Sequence, residues 1–332
     1  MITIRSSTMN RRTFLLRSTG LAAAGLLSRS LVRAQSSGPP AAPTGANAAG
    51  ARPSTAAAPA GPPIAEFRPL RRNVGIFSGR GGTIGWLASP SALVVIDTQF
   101  PDTAAVCLAG LPGRNRRLLD AVLNTHHHAD HTSGNPVFKP STRTIVAQAN
   151  VPKLQFAAAE KSGTLDSQVF ADTTFAEAWR HEAGDEVVTA QYFGPAHTNG
   201  DAVMMFEKAN VVHMGDLVFN RLYPYVDRPG GASVRGWVQR LEEVHRSFPA
   251  DAIYIFGHGI AKFGVTGVRD DLFVMRDLLT AMLDHVQKGI AAGRTKEQIA
   301  ALDNLPGFPD FHVPAPNRLP GILGTVYDEL TA

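Results

Sequence analysis

Short apolar, β-branched runs separated by turn formers dominate the first two-thirds of the chain. Val74–Phe77, Thr83–Leu87, Ala92–Ile96, Thr144–Ala147, Val187–Phe193, Ala202–Phe206, Asn210–Met214 and Ala252–Phe256 each have the length of a strand. Gly81-Gly82, Ser89-Pro90 and Lys208-Ala209-Asn210 punctuate them. Another run, Leu118–Leu123, is broken only by Asp120 and leads straight into a cluster of histidines. Elsewhere the spacing turns helical. A short helix is expected over residues 103–110. Ser233 is a good N-cap for VRGWVQRLEEVHRSF, where Val234, Trp237, Leu241, Val244 and Phe248 recur on one face. Val268–Ile290 is periodic, and Thr295-Lys-Glu-Gln298 is a capping box opening a shorter helix through Leu302. The pattern predicts an α/β domain over residues 65–265, rich in strands, followed by a helical C-terminal appendage over 266–332.

Charge changes the picture at the N-terminus. The chain has 332 residues and a formal net charge of +4, yet residues 1–34 carry six arginines and no acid. Without them 26 basic residues face 28 acidic ones, a net −2, so the body of the protein offers no nucleic-acid footprint. NRRTFLLRS (10–18), a mild apolar stretch from Leu21 to Leu27, and Val32-Arg33-Ala34 follow in that order. They resemble a twin-arginine (Tat) signal peptide, which implies passage through the Tat export machinery to the periplasm. The apolar stretch is far short of the ~20 residues a membrane span needs, so no stable membrane insertion is expected. Residues 35–64 are almost wholly Ala, Pro, Gly, Ser and Thr and read as a disordered linker. Cys107 is the single cysteine. It can form no intrachain disulfide and build no cysteine-rich metal site, and its apolar neighbours predict a buried, inert thiol.

The chemistry concentrates in NTHHHADHTSGN (124–135), where Thr125 to His131 hold four imidazoles and a carboxylate. If Asn124–His128 ends a strand, His126 and His128 project to one side and His127 to the other. Two imidazoles at i and i+2 can share a metal, while Asp130 and His131, in the turn beyond, can face a second. One metal needs more protein ligands than two, and three later segments offer them where a strand would give way to a loop. These are Gly194-Pro-Ala-His197-Thr-Asn-Gly-Asp201, Val211-Val-His-Met-Gly-Asp216 and Ile253-Tyr-Ile-Phe-Gly-His258-Gly. Strand ends hold ligands rigidly, as a catalytic metal site requires. His181, His245, His285 and His312 have no motif around them and read as ordinary surface or core residues. His213 reads as structural, and Tyr223 and Tyr225 as either pocket lining or packing.

THHHADH, GPAHTNGD, HMGD and FGHG, in that order, resemble the metallo-β-lactamase superfamily of binuclear metallohydrolases, over about residues 70 to 262. The resemblance implies a four-layer αβ/βα sandwich with metals at one edge of its two sheets. It implies that His126, His128 and His197 hold the first metal, that Asp130, His131 and His258 hold the second, and that Asp216 bridges them. Asp97, in VVIDT, fits the family's early structural aspartate. Asp201 is expected to fix an imidazole tautomer, and Asp130 to orient the nucleophile or relay a proton. Imidazole and carboxylate without thiolate suit two Zn²⁺ per chain, with iron or manganese also compatible.

Members that hydrolyse β-lactams usually carry Cys or Ser where this chain has Asp216, whereas Asp there resembles glyoxalase II and lactonases. The expected activity is hydrolysis of an ester, thioester or lactone, a small-molecule substrate attacked by a hydroxide shared between two metals. β-Lactam hydrolysis is the alternative. A non-hydrolytic di-metal redox protein is a further one, weakened because the di-iron members replace the second histidine of the motif by Glu and add a flavin domain.

Overall fold

A computed structural model describes residues 65–332, so the export-like segment and the Ala/Pro/Gly-rich stretch lie outside the described residues. One sheet runs in sequence order through β1 (Glu66–Arg71), β2 (Val74–Ser78), β3 (Ile84–Ala88), β4 (Leu93–Ile96), β5 (Ala121–Asn124), β6 (Ile145–Gln148) and β7 (Thr173–Phe175). The first four strands pair antiparallel and the last four parallel. Parallel neighbours need crossovers. These are α1 (Pro101–Gly110), then α2 (Ala129–Thr132) with α3 (Asn135–Phe138), then α4 (Val151–Ser162).

The second sheet contains β8 (Ala178–Ala183), β9 (Glu186–Tyr192), β10 (Ala202–Phe206) and β11 (Val211–His213) as consecutive neighbours. A short pair follows: β12 (Phe219–Asn220) lies parallel to β14 (His258–Gly259). α5 (Val234–Ser247) crosses from β11 to its parallel neighbour β13 (Ile253–Ile255), and β15 (Thr266–Gly267) closes that edge. Ser233 Oγ accepts from the Gly236 N–H, as its N-cap position predicts.

Both faces of each sheet are covered, which explains why the strands read as unbroken apolar runs. In β4, Val94 and Ile96 face the second sheet, while Leu93 and Val95 face outward against Ala104 and Cys107 of α1 and Phe138 of α3. In β10 and β11, Met204, Phe206 and Val211 join the core between the sheets, and Val203 and Val212 face Trp237 and Leu241 of α5. The result is the expected four-layer αβ/βα sandwich. Cys107 is fully buried, and burial pushes its thiol well up.

α6 (Asp271–Ala291), α7 (Lys296–Ala300) and α8 (Arg318–Thr331) complete the chain. Leu272, Met275 and Leu278 of α6 and Ile322 and Leu323 of α8 share one core with Trp237 and Tyr254, so the C-terminal helices are built into the outer helical layer. Glu329 of α8 accepts from Ser233 Oγ (2.9 Å) and from the Val234 N–H (2.8 Å) at the start of α5. The Thr295–Gln298 capping box forms as expected. No helix among the described residues is long and apolar enough to cross a membrane.

Candidate metal centre

All seven expected ligands meet at one end of the sandwich. β5 delivers the histidine stretch, but it stops at Asn124, so Thr125–His127 is a bend and His128 the extended residue before α2. A turn pinned by hydrogen bonds places His127 apart from His126 (ring centroids 6.4 Å) but beside His128 (4.6 Å), so the expected alternation does not hold for His128. Asp97 accepts from the Thr125 N–H and Thr125 Oγ1, both at 2.8 Å, and the His128 carbonyl accepts from His131 and Thr132 at the start of α2. Asp130 and His131 sit in α2, His197 in the loop before β10, Asp216 in a 3-10 turn after β11, and His258 in β14. Two glycines make room. A Cβ on Gly82 would lie 2.1 Å from the His131 ring, and one on Gly257 would lie 2.0 Å from Asp216 Oδ1.

The hydrogen bonds fix the tautomers, because carbonyl and carboxylate oxygens only accept. His197 Nδ1–H donates to the Tyr225 carbonyl (2.9 Å), His131 Nδ1–H to Asp97 Oδ2 (2.8 Å), and His128 Nε2–H to Asp227 Oδ2 (3.0 Å). Thr125 Oγ1 donates its one hydrogen bond to Asp97 (2.8 Å), so it accepts from His126 Nδ1–H (3.1 Å). Each ring is left with a lone pair on its other nitrogen. His126 Nε2 then faces His128 Nδ1 at 3.0 Å, and His128 Nδ1 faces His197 Nε2 at 2.9 Å. Three lone pairs converging in a buried site repel one another unless a cation stands among them.

A second group lies alongside. His258 Nε2 is 3.1 Å from Asp130 Oδ2 and 3.4 Å from Asp216 Oδ2, and His131 Nε2 is 3.1 Å from Asp216 Oδ1. His131 Nε2 and Asp216 Oδ1 are buried and find no well-formed hydrogen bond despite this approach, which leaves both atoms available to a metal. His126, His128, His197 and Asp216 form one set of donors within 4.8 Å of one another, and Asp130, His131 and His258 another. Asp216 touches both: its Oδ2 lies 3.8 Å from His126 Nε2 and 3.5 Å from His197 Nε2. The donor chemistry suits divalent metal ions.

Proton affinities divide along the same line. Burial drives His126 well below the ordinary imidazole range and His197 down to about 3, with neighbouring imidazoles adding to it. Burial acts on His131 and His258 too, but Asp216 and Asp130 outweigh it, raising His131 well above its usual range and His258 to about 9. Burial raises Asp216, yet the imidazoles of His258 and His131 hold it well below the carboxylate range. Asp130 is held at about 2 by His131 and His258 against its burial.

Two expectations on neighbouring residues turn out differently. Asp201 touches no imidazole ring. Its carboxylate accepts from the Thr198 N–H and Thr198 Oγ1, both at 2.7 Å, and burial lifts it to about 8. It braces the turn that carries His197, while the tautomer of that ring is set by the Tyr225 carbonyl. Asp227, which carries no sequence signal, orients an imidazole as Asp97 does; it holds His128 and lies 3.3 Å from His127 Nε2. His213 is buried between the sheets: its Nε2 donates to the Thr83 carbonyl (3.0 Å) and its Nδ1 accepts from the Gly215 N–H (3.1 Å). Tyr223 is buried packing whose hydroxyl accepts from the Leu305 N–H, whereas Tyr225 is half exposed, its ring 5.6 Å from that of His128.

A cavity of about 420 Å³ opens onto these residues, lined by Asp130, Asp216, His258, Phe219 and Tyr225 and roofed by Pro314 and Arg318 from the C-terminal segment. A second, of about 520 Å³, lies on the other side of Tyr225 against Leu154 and Ala157 of α4.

A sandwich of this kind with paired His/Asp donor sets at its edge defines a metallohydrolase scaffold. The metallo-beta-lactamase superfamily model matches residues 78–258, and the chain belongs to that superfamily, whose members are generally hydrolases. Among solved structures, the stereoselective inverting sec-alkylsulfatase Pisa1 from Pseudomonas sp. superposes with a TM-score of 0.63 at 17% identity, covering 80% of this chain and 50% of that one. A metallo-beta-lactamase from Hirschia baltica gives 0.53 at 17% identity over 65% of this chain and 97% of that one. One from Pontibacter korlensis gives 0.54 at 18% over 65% and 99%. The chain thus spans about half the length of the alkylsulfatase and nearly the whole of the lactamases. No curated protein matches the sequence.

Proposed function

We propose that the protein is an exported, binuclear metal-dependent hydrolase of a carboxylic ester, thioester or lactone. The observation that carries this reading is the convergence of fixed imidazole lone pairs beside a buried carboxylate that reaches both donor sets. His126, His128 and His197 would hold one metal, Asp130, His131 and His258 the other, with Asp216 between; zinc is the proposed ion. Metals there would supply Lewis-acid polarisation of a carbonyl oxygen and a water-derived nucleophile near neutral pH. Asp97 and Asp227 hold the His131 and His128 rings in the tautomers that leave their inner nitrogens free. Asp130, ionised and facing the cavity, is placed to orient an attacking water and accept its proton. Asp216 in the position where β-lactamases of the superfamily usually carry Cys or Ser favours esters, thioesters and lactones over β-lactams. The paired Arg11-Arg12 with the apolar stretch behind it supports Tat export to the periplasm.

Elemental analysis of wild type and Asp216→Ala tests the reading when joined to a panel of p-nitrophenyl acetate, an acyl thioester, an N-acyl homoserine lactone, a chromogenic cephalosporin and a secondary alkyl sulfate. About two zinc per chain, lost in the variant together with ester or lactone turnover, is the expected result. Turnover confined to the cephalosporin or the sulfate would overturn the substrate class, and wild type without metal would overturn the reading as a whole.

A further inference from the structure

Arg318 is the one lysine or arginine among the described residues lining the metal cavity. The other ionisable groups there, Asp130, Asp216 and the histidines, are addressed to one another and to the proposed metals. Arg318 has no such engagement. Among the described residues it makes no ion pair, and its guanidinium lies over the Tyr225 ring, 5.5 Å from the centroid. Tyr225 in turn lies 5.6 Å from the His128 ring. A guanidinium presents five N–H donors in a rigid fork suited to bidentate pairing with a carboxylate. Here that fork lines the cavity of the donor groups, stacked on a ring that itself neighbours His128, and among the described residues it pairs with no carboxylate.

Its placement is not left to a loose tail. The segment before α8 is strapped to the cavity wall by a bridge between Leu222 and His312, with the Tyr223 N–H donating to the His312 carbonyl (3.0 Å) and the His312 N–H to that of Arg221 (2.8 Å). The far end of α8 is tied to α5 through Glu329. The backbone carrying Arg318 is thus fixed at both ends relative to the ligands.

We propose that Arg318 determines substrate specificity by pairing with a carboxylate that the substrate carries beyond its scissile carbonyl, so that the natural substrate is an anionic ester, thioester or lactone. The inference rests on the hydrolase reading above and adds the substrate's charge to it. It also gives the C-terminal helices a role, because they bring a binding group to a centre whose ligands all come from the preceding part of the chain.

The test measures binding and needs no turnover. Succinate, glutarate and adipate are titrated calorimetrically into the zinc-loaded full chain against butyrate, valerate and hexanoate, with hydrolysis of a neutral and a carboxylate-bearing aryl ester followed in parallel. One carboxylate of each diacid can engage the metals, so the gain over the monoacid reports the second. For at least one chain length the gain is expected to be about tenfold or more in wild type. It should vanish in Arg318→Ala and Arg318→Gln, be partly restored in Arg318→Lys, and persist in Lys161→Ala, a cation lining the neighbouring cavity. Metal content and melting temperature identify any variant that has lost its fold, which is why a conservative and two truncating substitutions are compared. A diacid that binds no tighter than its monoacid, a gain that survives in Arg318→Ala, or a gain lost in Lys161→Ala overturns the proposal. A gain that depends on Arg318 without turnover of any ester, thioester or lactone would sink the hydrolase reading and leave Arg318 as a carboxylate-binding group, and hydrolysis with no such gain would sink this inference alone.

Discussion

His126 and His131 have ring centroids 4.2 Å apart and both are fully buried, yet their proton affinities move in opposite directions. In the set containing His126, His128 and His197 the rings face one another, and His126 and His197 are driven down. The set containing His131 and His258 presents its rings to Asp130 and Asp216. Burial is the same in sign and dominates the first set, while the carboxylates overturn it in the second. In the absence of metal, protons can therefore stand in for the cation in the second set. The first set has no such substitute, and its lone pairs are left facing one another. Two sites made of the same imidazole chemistry are in this way given different responses to metal and to acid by the placement of two aspartates.

The sharpest way to break the comparison is to remove one ring from each set. His197→Ala and His258→Ala are each expected to lose about one metal per chain. Activity should fall by more than the ~100-fold that bounds loss of an outer supporting group. His258→Ala should retain the metal of the first set, which it approaches only through Asp216, the carboxylate that reaches both sets. Release of both metals from His258→Ala, read by elemental analysis, would show that the two sets bind as one unit.

Replacing Asp227 by Asn probes the support behind the first set. His128 Nε2–H would keep an oxygen acceptor but lose the charged partner that orients the ring, and metal affinity or activity should drop by ~10–100-fold. A competitive chelator titration measures it, and an unchanged affinity would demote Asp227 to packing.

The strands and the ligand cluster were legible in the sequence for the same physical reason: both depend on local runs. Strands buried on two faces read as continuous apolar segments, and ligands at the ends of such segments read as polar interruptions. β8, with its alternating Trp179-Arg180-His181-Glu182 at a sheet edge, and β1, polar and interrupted by Pro69, carry little apolar signal, so both escaped. β12, β14 and β15 are two-residue pairings that exist only through tertiary contact. The histidine bend was misread as a strand end because the Asp97–Thr125 hydrogen bonds that shape it join positions 28 residues apart. Asp227 and Arg318 were invisible because each is a lone residue in an irregular segment, brought to the site by chain paths that periodicity does not encode. Asp201 reads in sequence as a partner for an imidazole, while the Thr198 hydroxyl and amide hold its carboxylate.

Acid should separate the two sets more gently. A metal entering the second set must displace the proton that His258 otherwise holds up to about 9, so its apparent affinity should weaken as pH falls below that value, about tenfold per unit per proton displaced. His197, at about 3, imposes no such competition on the first set until far lower pH. Dialysis at stepwise lower pH should release the second set's metal first, leaving about one per chain at mildly acidic pH. In metal-stripped protein the sign reverses. The raised affinity of His258 contributes stability that is complete below about 6.5 and is lost as pH rises towards about 9. Thermal melts should therefore fall over that window without metal. A single-step release of both metals would remove the distinction between the sets.

His213 supplies the smallest expected effect on metal and the most exacting control. Burial depresses its proton affinity as it does that of His126, so the shift alone does not mark a ligand. What separates the two rings is where their nitrogens point. Both nitrogens of His213 are spent, one on the Thr83 carbonyl and one on the Gly215 N–H, and these bonds join the first sheet to the turn that carries Asp216. His213→Ala strands both partners in the core at roughly 1–3 kcal/mol each, so the melting temperature should drop while metal per folded chain stays at the wild-type value. A loss of metal at temperatures where the variant remains folded would mean that the position of Asp216 depends on this ring, and that the line between ligands and scaffold runs one residue further out than the hydrogen bonds suggest.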